Sequence, residues 1–382
     1  MIDIELFSNK ICDSGVEFIT GVPDTLLNDF CIHIEKTWSN GKHVIAANEG
    51  NAVGLAVGYH LATGTIPLVY MQNSGIGNIV NPLLSLTHKY VYNIPLILLI
   101  GWRGEPNKND HPQHKKQGEI TLSLLENMDV PYRVLSDNTD FVLESMTWAI
   151  EKTKKTNNPV ALVATKGVFE SGEKAGFKNE NGSWLSREEA INEVLNSIPR
   201  DSIVIASTGR ATRELYELRN QRNENHNTDF LNVGAMGHTS SIALGIAQAT
   251  KRQVVCLEGD SSALMHLGAF TTTGLLKPNN FFHIILNNGV HESVGGQKSA
   301  GLESNLTEIA KHSGYNTVDR SIKTADEICD TIKALENIDG PKFIEIIIRK
   351  GIRSDMPVLK FDLIESKNEV MENLIIKGEI NS

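Results

Sequence analysis

Residues 254–290 read VVCLEGDSSALMHLGAFTTTGLLKPNNFFHIILNNGV. The stretch holds an apolar run, a Gly259-Asp260-Ser261-Ser262 turn, a helical segment, a second apolar run and an Asn287-Asn288 pair. A strand-helix-strand crossover sets two strand ends side by side. Asn288 follows Asp260 by 28 positions (288 − 260), so the crossover brings a carboxylate and an amide within reach of each other. Both offer hard oxygens that suit an octahedral Mg²⁺, its other ligands being a main-chain carbonyl, water and phosphate oxygens. The small residues after Asp260 open a helix, whose free N–H groups favour an anion. Either turn alone reads as an ordinary connection. The pair at this spacing, each behind a buried run, points to a metal-held phosphate.

Outward from this stretch, the same alternation fills the chain. In the first half, strands are predicted at 16–22, 43–47, 66–72, 94–101, 132–135 and 160–165. Helices are predicted at 24–36, 49–62, 77–86, 120–127 and 140–153. In the second half, strands at 202–207, 230–233, 254–257, 281–286 and 343–349 alternate with helices at 186–198, 211–219, 240–250, 263–276, 303–312 and 325–335. Apolar runs such as IPLILLI suit parallel strands covered on both faces. The pattern predicts an α/β protein of two doubly wound parallel-sheet domains, residues 1–167 and 186–382. Residues 168–185, polar and rich in Gly, Glu, Lys and Asn, read as a linker. The halves share a layout without a clear sequence repeat. In open α/β sheets, ligands bind beyond the carboxyl ends of strands. Glu49, Asn73, Thr208, Gly209, Asp260 and Asn288 all fall there, so both sheets are expected to present their edges to one composite site.

Bulk properties narrow the partners. The 382 residues are 40% hydrophobic and 21% charged, with net charge -10. That balance disfavours nucleic acid as a partner. No apolar run approaches the roughly 20 residues that span a bilayer, so no membrane association is expected. The start, MIDIELFSNK, lacks the basic and apolar regions of a secretory signal. Cys12, Cys31, Cys256 and Cys329 are scattered without a CxxC pair, which fits a reducing cytoplasm.

The segment from Gly259 to Asn288 resembles the thiamine-diphosphate-dependent decarboxylases, whose diphosphate motif is GDG or GDS, about 25–30 residues, then NN. The resemblance implies thiamine diphosphate and Mg²⁺ as cofactors. Asp260 and the Asn288 side chain would bind the metal, with the Val290 carbonyl as third protein ligand. Ser261 and Ser262 would meet the diphosphate. The serine after GD, where many relatives have glycine, removes no ligand. Residues 207–210 (STGR) follow a strand and open a helix, which makes Thr208 and Gly209 a second diphosphate contact. Residues 234–238 (GAMGH) resemble the loop under the cofactor, where the Gly234 carbonyl would accept from the pyrimidine 4′-amino group. Met236 would wedge between the two rings, although alone it reads more readily as core.

Glu49 opens a helix in AANEGNAVGLAVGY, residues 46–59. Taken alone it is a helix-dipole partner in the first turn. The family's N-E-x-N-A pattern is present as Asn48-Glu49-Gly50-Asn51-Ala52, which implies a carboxyl donating to N1′ of the aminopyrimidine. A carboxyl in a dry, apolar site can hold and return a proton. In the family the site forms between subunits, which implies a homodimer or higher homo-oligomer.

The chain lacks the middle domain of the larger relatives. Its length, and strings such as GVPDTLL (21–27), QNSGIGN (72–78), DHPQH (110–114), MGHTSS (236–241) and NNGVHESVGGQ (287–297), resemble the phosphonopyruvate decarboxylases. That likeness implies conversion of 3-phosphonopyruvate to phosphonoacetaldehyde and CO₂. A sulfopyruvate decarboxylase, or a non-catalytic cofactor-binding subunit, are the alternatives. Either substrate needs a pocket for a tetrahedral anion. Candidates are Asp24 and Thr25 in the turn 22–25, with Asn73, Arg103, His111, His114, His291 and Lys298. The polar stretch 105–116 reads equally as a solvated lid. Larger decarboxylases place an acid six positions after the second asparagine; here Val294 stands there. Protonation of the product-forming intermediate would fall to His111, His114, His291 or water. A Rossmann dehydrogenase is excluded, since no GxGxxG follows the first strand.

Overall fold

The computed structural model describes residues 2–38, 41–169, 184–351, 353, 355–357 and 361–376. The chain forms two compact units. One comprises Met1–Gly176 with Ser293–Gln297, the other Phe177–Glu292 with Lys298–Ser382. Most of the expected linker, residues 170–183, lies outside the described residues. Val168 and Phe169, read from sequence as its start, are instead fully buried in the first unit's core.

The first unit holds β1 (Ile19–Gly21), β2 (His43–Ile45), β3 (Leu68–Gln72), β4 (Ile97–Gly101), β5 (Tyr132–Leu135) and β6 (Val160–Ala164). They form one sheet in the order β2-β1-β3-β4-β6-β5, every pair parallel. Strand side chains alternate between faces. Leu68 and Tyr70 enter one core cluster with Phe7, Phe30 and Phe169, while Val69 and Met71 enter another with Leu98 and Ile100. Covering both faces explains why β4 and β6 read as unbroken apolar runs.

The second unit holds β7 (Ile203–Ala206), β8 (Asp229–Leu231), β9 (Val254–Gly259), β10 (Phe281–Asn287), β11 (Asn316–Thr317) and β12 (Lys342–Ile347). Their order is β11-β12-β10-β9-β7-β8, again all parallel. Counted within each unit, both sheets run second, first, third, fourth, sixth, fifth. The fold is therefore repeated although the sequence is not. In each sheet the strand order reverses between the first and third strands, β1/β3 and β7/β9. Such a reversal opens a crevice at the carboxyl edge.

Several elements differ from the sequence reading. Helices Ile4–Asp13 and Leu363–Ile376 and the two-residue strand β11 were not anticipated. The helix predicted at 263–276 is two, Asp260–Met265 and Ala269–Leu276, because His266 leaves helical geometry at φ -133, ψ 49. The polar stretch 105–116 is not all loop: Pro112 opens the helix Pro112–Asn127, its fixed φ suiting a first turn. Among the described residues, no helix is long and apolar enough to cross a membrane.

Close packing of the second unit is sharpest at Gly274, where an added Cβ would lie 1.6 Å from the Ser313 carbonyl oxygen. Alanine is the better helix former by about 1 kcal/mol, but the clash with main chain opposes it. Gly274→Ala should therefore destabilise the protein by about 1–3 kcal/mol in urea unfolding. An unchanged or raised stability would contradict the packing.

Candidate functional site

In the second unit the site grows from the β7/β9 reversal. The Gly259 N–H at the end of β9 donates to Ser207 Oγ beyond β7, at 3.3 Å. Thr212 Oγ1, in the helix Arg210–Gln221, lies 2.8 Å from the Ser207 carbonyl and 3.0 Å from that of Asn232. One hydroxyl thus ties the ends of β7 and β8 together. Gly209 caps this helix at φ 102, ψ -122, a conformation open to glycine. Thr208 beside it is half-buried.

Asp260 opens the next helix and is 2% exposed. Its carboxylate accepts from the main-chain N–H of Asn288 and from Ser299 Oγ. The two ends of the predicted crossover therefore meet. Burial lifts the Asp260 carboxyl to about 6, while Ser299 and the main-chain N–H groups pull the other way. Gly301 stands directly behind: a Cβ there would lie 2.3 Å from Asp260 Oδ2. Asn288 is buried. Its Oδ1 accepts from the Val290 N–H at 3.2 Å, and its Nδ2 faces Glu292 at 3.4 Å. The segment after Val290 folds back, with Val290 bridged to Lys298, and so delivers Ser299 to Asp260.

The two serines after Asp260 differ. Ser261 Oγ is buried with no hydrogen-bond partner, as a group waiting for a ligand would be. Ser262 Oγ donates to Glu258 at 2.7 Å and accepts from the Gly237 N–H at 3.0 Å. Its single proton is spent, so its side chain has no donor left for a phosphate oxygen, contrary to the sequence reading. Glu258 also meets His283 at 3.0 Å, and His283 meets Tyr315 at 3.4 Å. This buried chain supports the loop 234–238. There Ala235 and Gly237 adopt φ 49 and 88, and a Cβ on Gly237 would lie 2.6 Å from His266. Gly234 and Met236 are half-buried on this loop. A buried carboxyl, an adjacent amide and an orphaned hydroxyl at a strand-order reversal fit a divalent cation carrying a phosphate group.

In the first unit, Glu49 begins the helix Glu49–Thr63 behind its cap Asn48, whose side chain accepts from the Asn51 N–H. Glu49 is 5% exposed. Asn78 Nδ2 donates to Glu49 Oε2 at 2.6 Å. The carboxyl lies across Gly75, where a Cβ would come within 2.4 Å of Oε1.

The expected substrate residues do not all converge. Asp24 is buried and accepts from the Leu26 N–H, capping a short turn; Gly101 is bare because Asp24 Oδ2 occupies the space a Cβ would need. Asn73 donates to the Arg103 carbonyl and to Thr121 Oγ1, both at 2.8 Å, and accepts from the Arg103 N–H. The Asn73 amide is thus engaged at both ends in holding the turn, while Asp24 uses Oδ2 for its cap. Thr25 accepts from Arg103 Nη1 at 2.9 Å, and the two line a cavity of about 220 Å³ with Lys108 and Lys166.

Asp110 binds Arg103, His114 and the Gly104 and His111 N–H groups. Against the cost of burial, Arg103 and His114 hold its carboxyl far below the usual range. The stretch 105–116 is thereby anchored rather than free. Burial lowers the His114 imidazole despite Asp110, and His111 is exposed. In the second unit, burial pulls the half-buried His291 down to about 4, so it is neutral at physiological pH and a poor acid. Lys298 is exposed and pairs with Glu303 at 2.6 Å. A larger cavity of about 710 Å³ lies by Glu188, Glu193 and Arg349, and none of the anticipated site residues lines it.

Sequence reasoning missed Ser299, Gly301, Gly75 and Asn78. The last two lie in QNSGIGN, residues 72–78, but nothing in their spacing reveals that they cradle Glu49. Ser299 and Gly301 reach Asp260 only through the fold-back.

Comparison with known proteins follows the same division. Residues 5–125 match the family described as thiamine pyrophosphate enzyme, N-terminal TPP binding domain. Residues 207–346 match thiamine pyrophosphate enzyme, C-terminal TPP binding domain. A phosphonopyruvate decarboxylase of Streptomyces viridochromogenes is 31% identical over 88% of this chain and 86% of its own length. A sulfopyruvate decarboxylase of Methanosarcina acetivorans is 26% identical over 88% and 89%. The beta subunit of sulfopyruvate decarboxylase from Methanothermobacter thermautotrophicus is 32% identical, but over 50% of this chain and 94% of its own.

The raised Asp260 carboxyl has a stability consequence. Its value of about 6 exceeds the ordinary 3.8, so the folded state holds the proton more tightly than the unfolded chain. Stability is then lost as pH rises through that window and stays lost above it. In metal-free protein at pH 7.5, Asp260→Asn should be more stable by on the order of 2–3 kcal/mol in urea unfolding with a chelator present. A less stable variant would contradict the strained carboxylate.

Proposed function

The chain belongs to the thiamine pyrophosphate enzymes, as a decarboxylase, and from that premise we propose that it converts 3-phosphonopyruvate to phosphonoacetaldehyde and CO₂. The observation that carries the reading is the meeting of Asp260 and Asn288 beside the orphaned Ser261 hydroxyl. The substrate reading is supported by likeness to a phosphonopyruvate decarboxylase over 88% of this chain and 86% of that protein. Sulfopyruvate is the second reading, supported by the somewhat lower likeness to a sulfopyruvate decarboxylase that matches both halves of the chain.

When bound, thiamine diphosphate supplies the nucleophilic carbon and the electron sink that a 2-oxo acid needs to lose CO₂. In this reading Asp260, the Asn288 amide oxygen and the Val290 carbonyl hold Mg²⁺. Ser261 Oγ, the main-chain N–H of Ser262 and those of Thr208 and Gly209 receive the diphosphate. Gly234 and Met236 set the pyrimidine. Glu49 holds and returns a proton at N1′, with Asn78 fixing its carboxyl. Thr25 and Arg103 remain the best-placed partners in the first unit for a distal anion. We place the protein in the cytoplasm, since all four cysteines are free.

Glu49 would serve a site completed by a second copy. Its helix supports this. Ala52, Val53, Ala56 and Val57 are buried, yet the opposite face is also apolar, with Leu55 42% and Leu61 71% exposed. A Cβ on Gly54 or Gly58 would meet nothing within 4 Å. A helix apolar all round calls for cover, and a second copy would provide it.

Three outcomes test this reading. Glu49→Gln should retain thiamine diphosphate yet lose about 10²–10⁴ in kcat; near-normal turnover would refute its role. Gly58→Glu with Leu61→Glu should sediment as a monomer and be inactive, whereas a fully active monomer would refute the shared site. Among phosphonopyruvate, sulfopyruvate and pyruvate, the first should give the highest kcat/KM; a tenfold preference for sulfopyruvate would overturn the substrate.

A further inference from the structure

Behind Asn288 stands a second buried carboxylate. Glu292 is 6% exposed. One of its oxygens accepts from Arg187 Nη2 and faces Asn288 Nδ2; the other accepts from the Gly351 N–H. Arg187 is itself buried and also pairs with Glu214 at 3.1 Å. It is the first residue of the helix Arg187–Ser197, which a capping box between Ser186 and Glu189 holds in place. A continuous chain thus runs from a capped helix through Arg187 and Glu292 to the amide of Asn288.

An asparagine amide has two ends, one donor and one acceptor. A cation takes only the oxygen. An ionised carboxylate accepts and never donates, so Glu292 takes the NH₂ end of Asn288. The amide oxygen is left on the side of the Val290 N–H. Buried ion pairs are costly to assemble and add little net stability, so stability alone does not explain this one. We infer that Glu292, held by Arg187, is a positioning residue that sorts the Asn288 amide and thereby sets the affinity for the divalent cation. This rests on the metal reading of Asp260 and Asn288.

Outer partners of metal ligands are worth about 10–100-fold in affinity. The test is Mn²⁺ binding, followed by electron paramagnetic resonance, to the full chain with thiamine diphosphate present. Glu292→Gln breaks the Arg187 pair and offers Asn288 an amide of either polarity. It should weaken Mn²⁺ by about 10–100-fold. In an Asn288→Asp background no amide remains to be sorted, and two carboxylates would face each other. There Glu292→Gln should leave Mn²⁺ affinity unchanged or improve it. If Glu292→Gln fails to fold, Arg187→Lys, which leaves Glu292 in place, should show the same pattern at smaller size. A wild-type protein that binds no Mn²⁺ would sink the metal reading itself. Wild-type binding with an unaltered Glu292→Gln affinity would sink the positioning role alone. Equal weakening in both backgrounds would make the network merely structural and overturn it too.

Discussion

The structure turns on one contact, the main-chain N–H of Asn288 against the buried carboxylate of Asp260. Register sets it. β9 and β10 pair in parallel with Gly259 opposite Leu286, so the residues that follow leave the sheet at the same level. Once Asp260 is buried there, its charge dictates the surroundings. Ser299 is brought back to donate to it, and Gly301 must lack a side chain to let it fit. Glu292 faces the amide of its neighbour. What remains is a carboxyl whose burial resists ionisation, a cost that a divalent cation would offset.

The two units place different residues on one topology. Both sheets carry the same strand order, so both have a reversal and a carboxyl-edge crevice. In the second unit the crevice gathers a buried carboxyl, an amide and an orphaned hydroxyl. In the first, the edge carries Glu49 wedged over Gly75 with Asn78 on one oxygen, while Asp24 and Asn73 at the reversal lock the turns. The fold supplies positions; the residues at strand ends decide what each crevice does.

Much of this was legible in the sequence. Among the described residues, eleven of the twelve strands were anticipated, because parallel strands buried on both faces leave long apolar runs. That Asp260 and Asn288 approach each other followed from a strand-helix-strand spacing, although the contact runs through the Asn288 main-chain N–H rather than through both side chains. What the sequence concealed was tertiary. β11 is too short to show a period, and His266, where the helix breaks, packs against the distant loop carrying Gly237. Ser262 read as a phosphate ligand because small residues after Asp260 suit that role, but Glu258 claims its proton from within the core. Asp24 and Asn73 read as substrate groups since they follow strands. Their partners, the Leu26 N–H, Arg103 and Thr121, add a role the sequence did not show, holding the turns that follow β1 and β3.

The central claim is that one cation joins residues 260 and 288. Its most direct measurement is anomalous diffraction from crystals grown with thiamine diphosphate and Mn²⁺. The account predicts a single strong peak in the second unit at about 2.0–2.3 Å from an Asp260 carboxylate oxygen and from Asn288 Oδ1. A peak away from both side chains, or thiamine diphosphate bound with no metal between them, would contradict it.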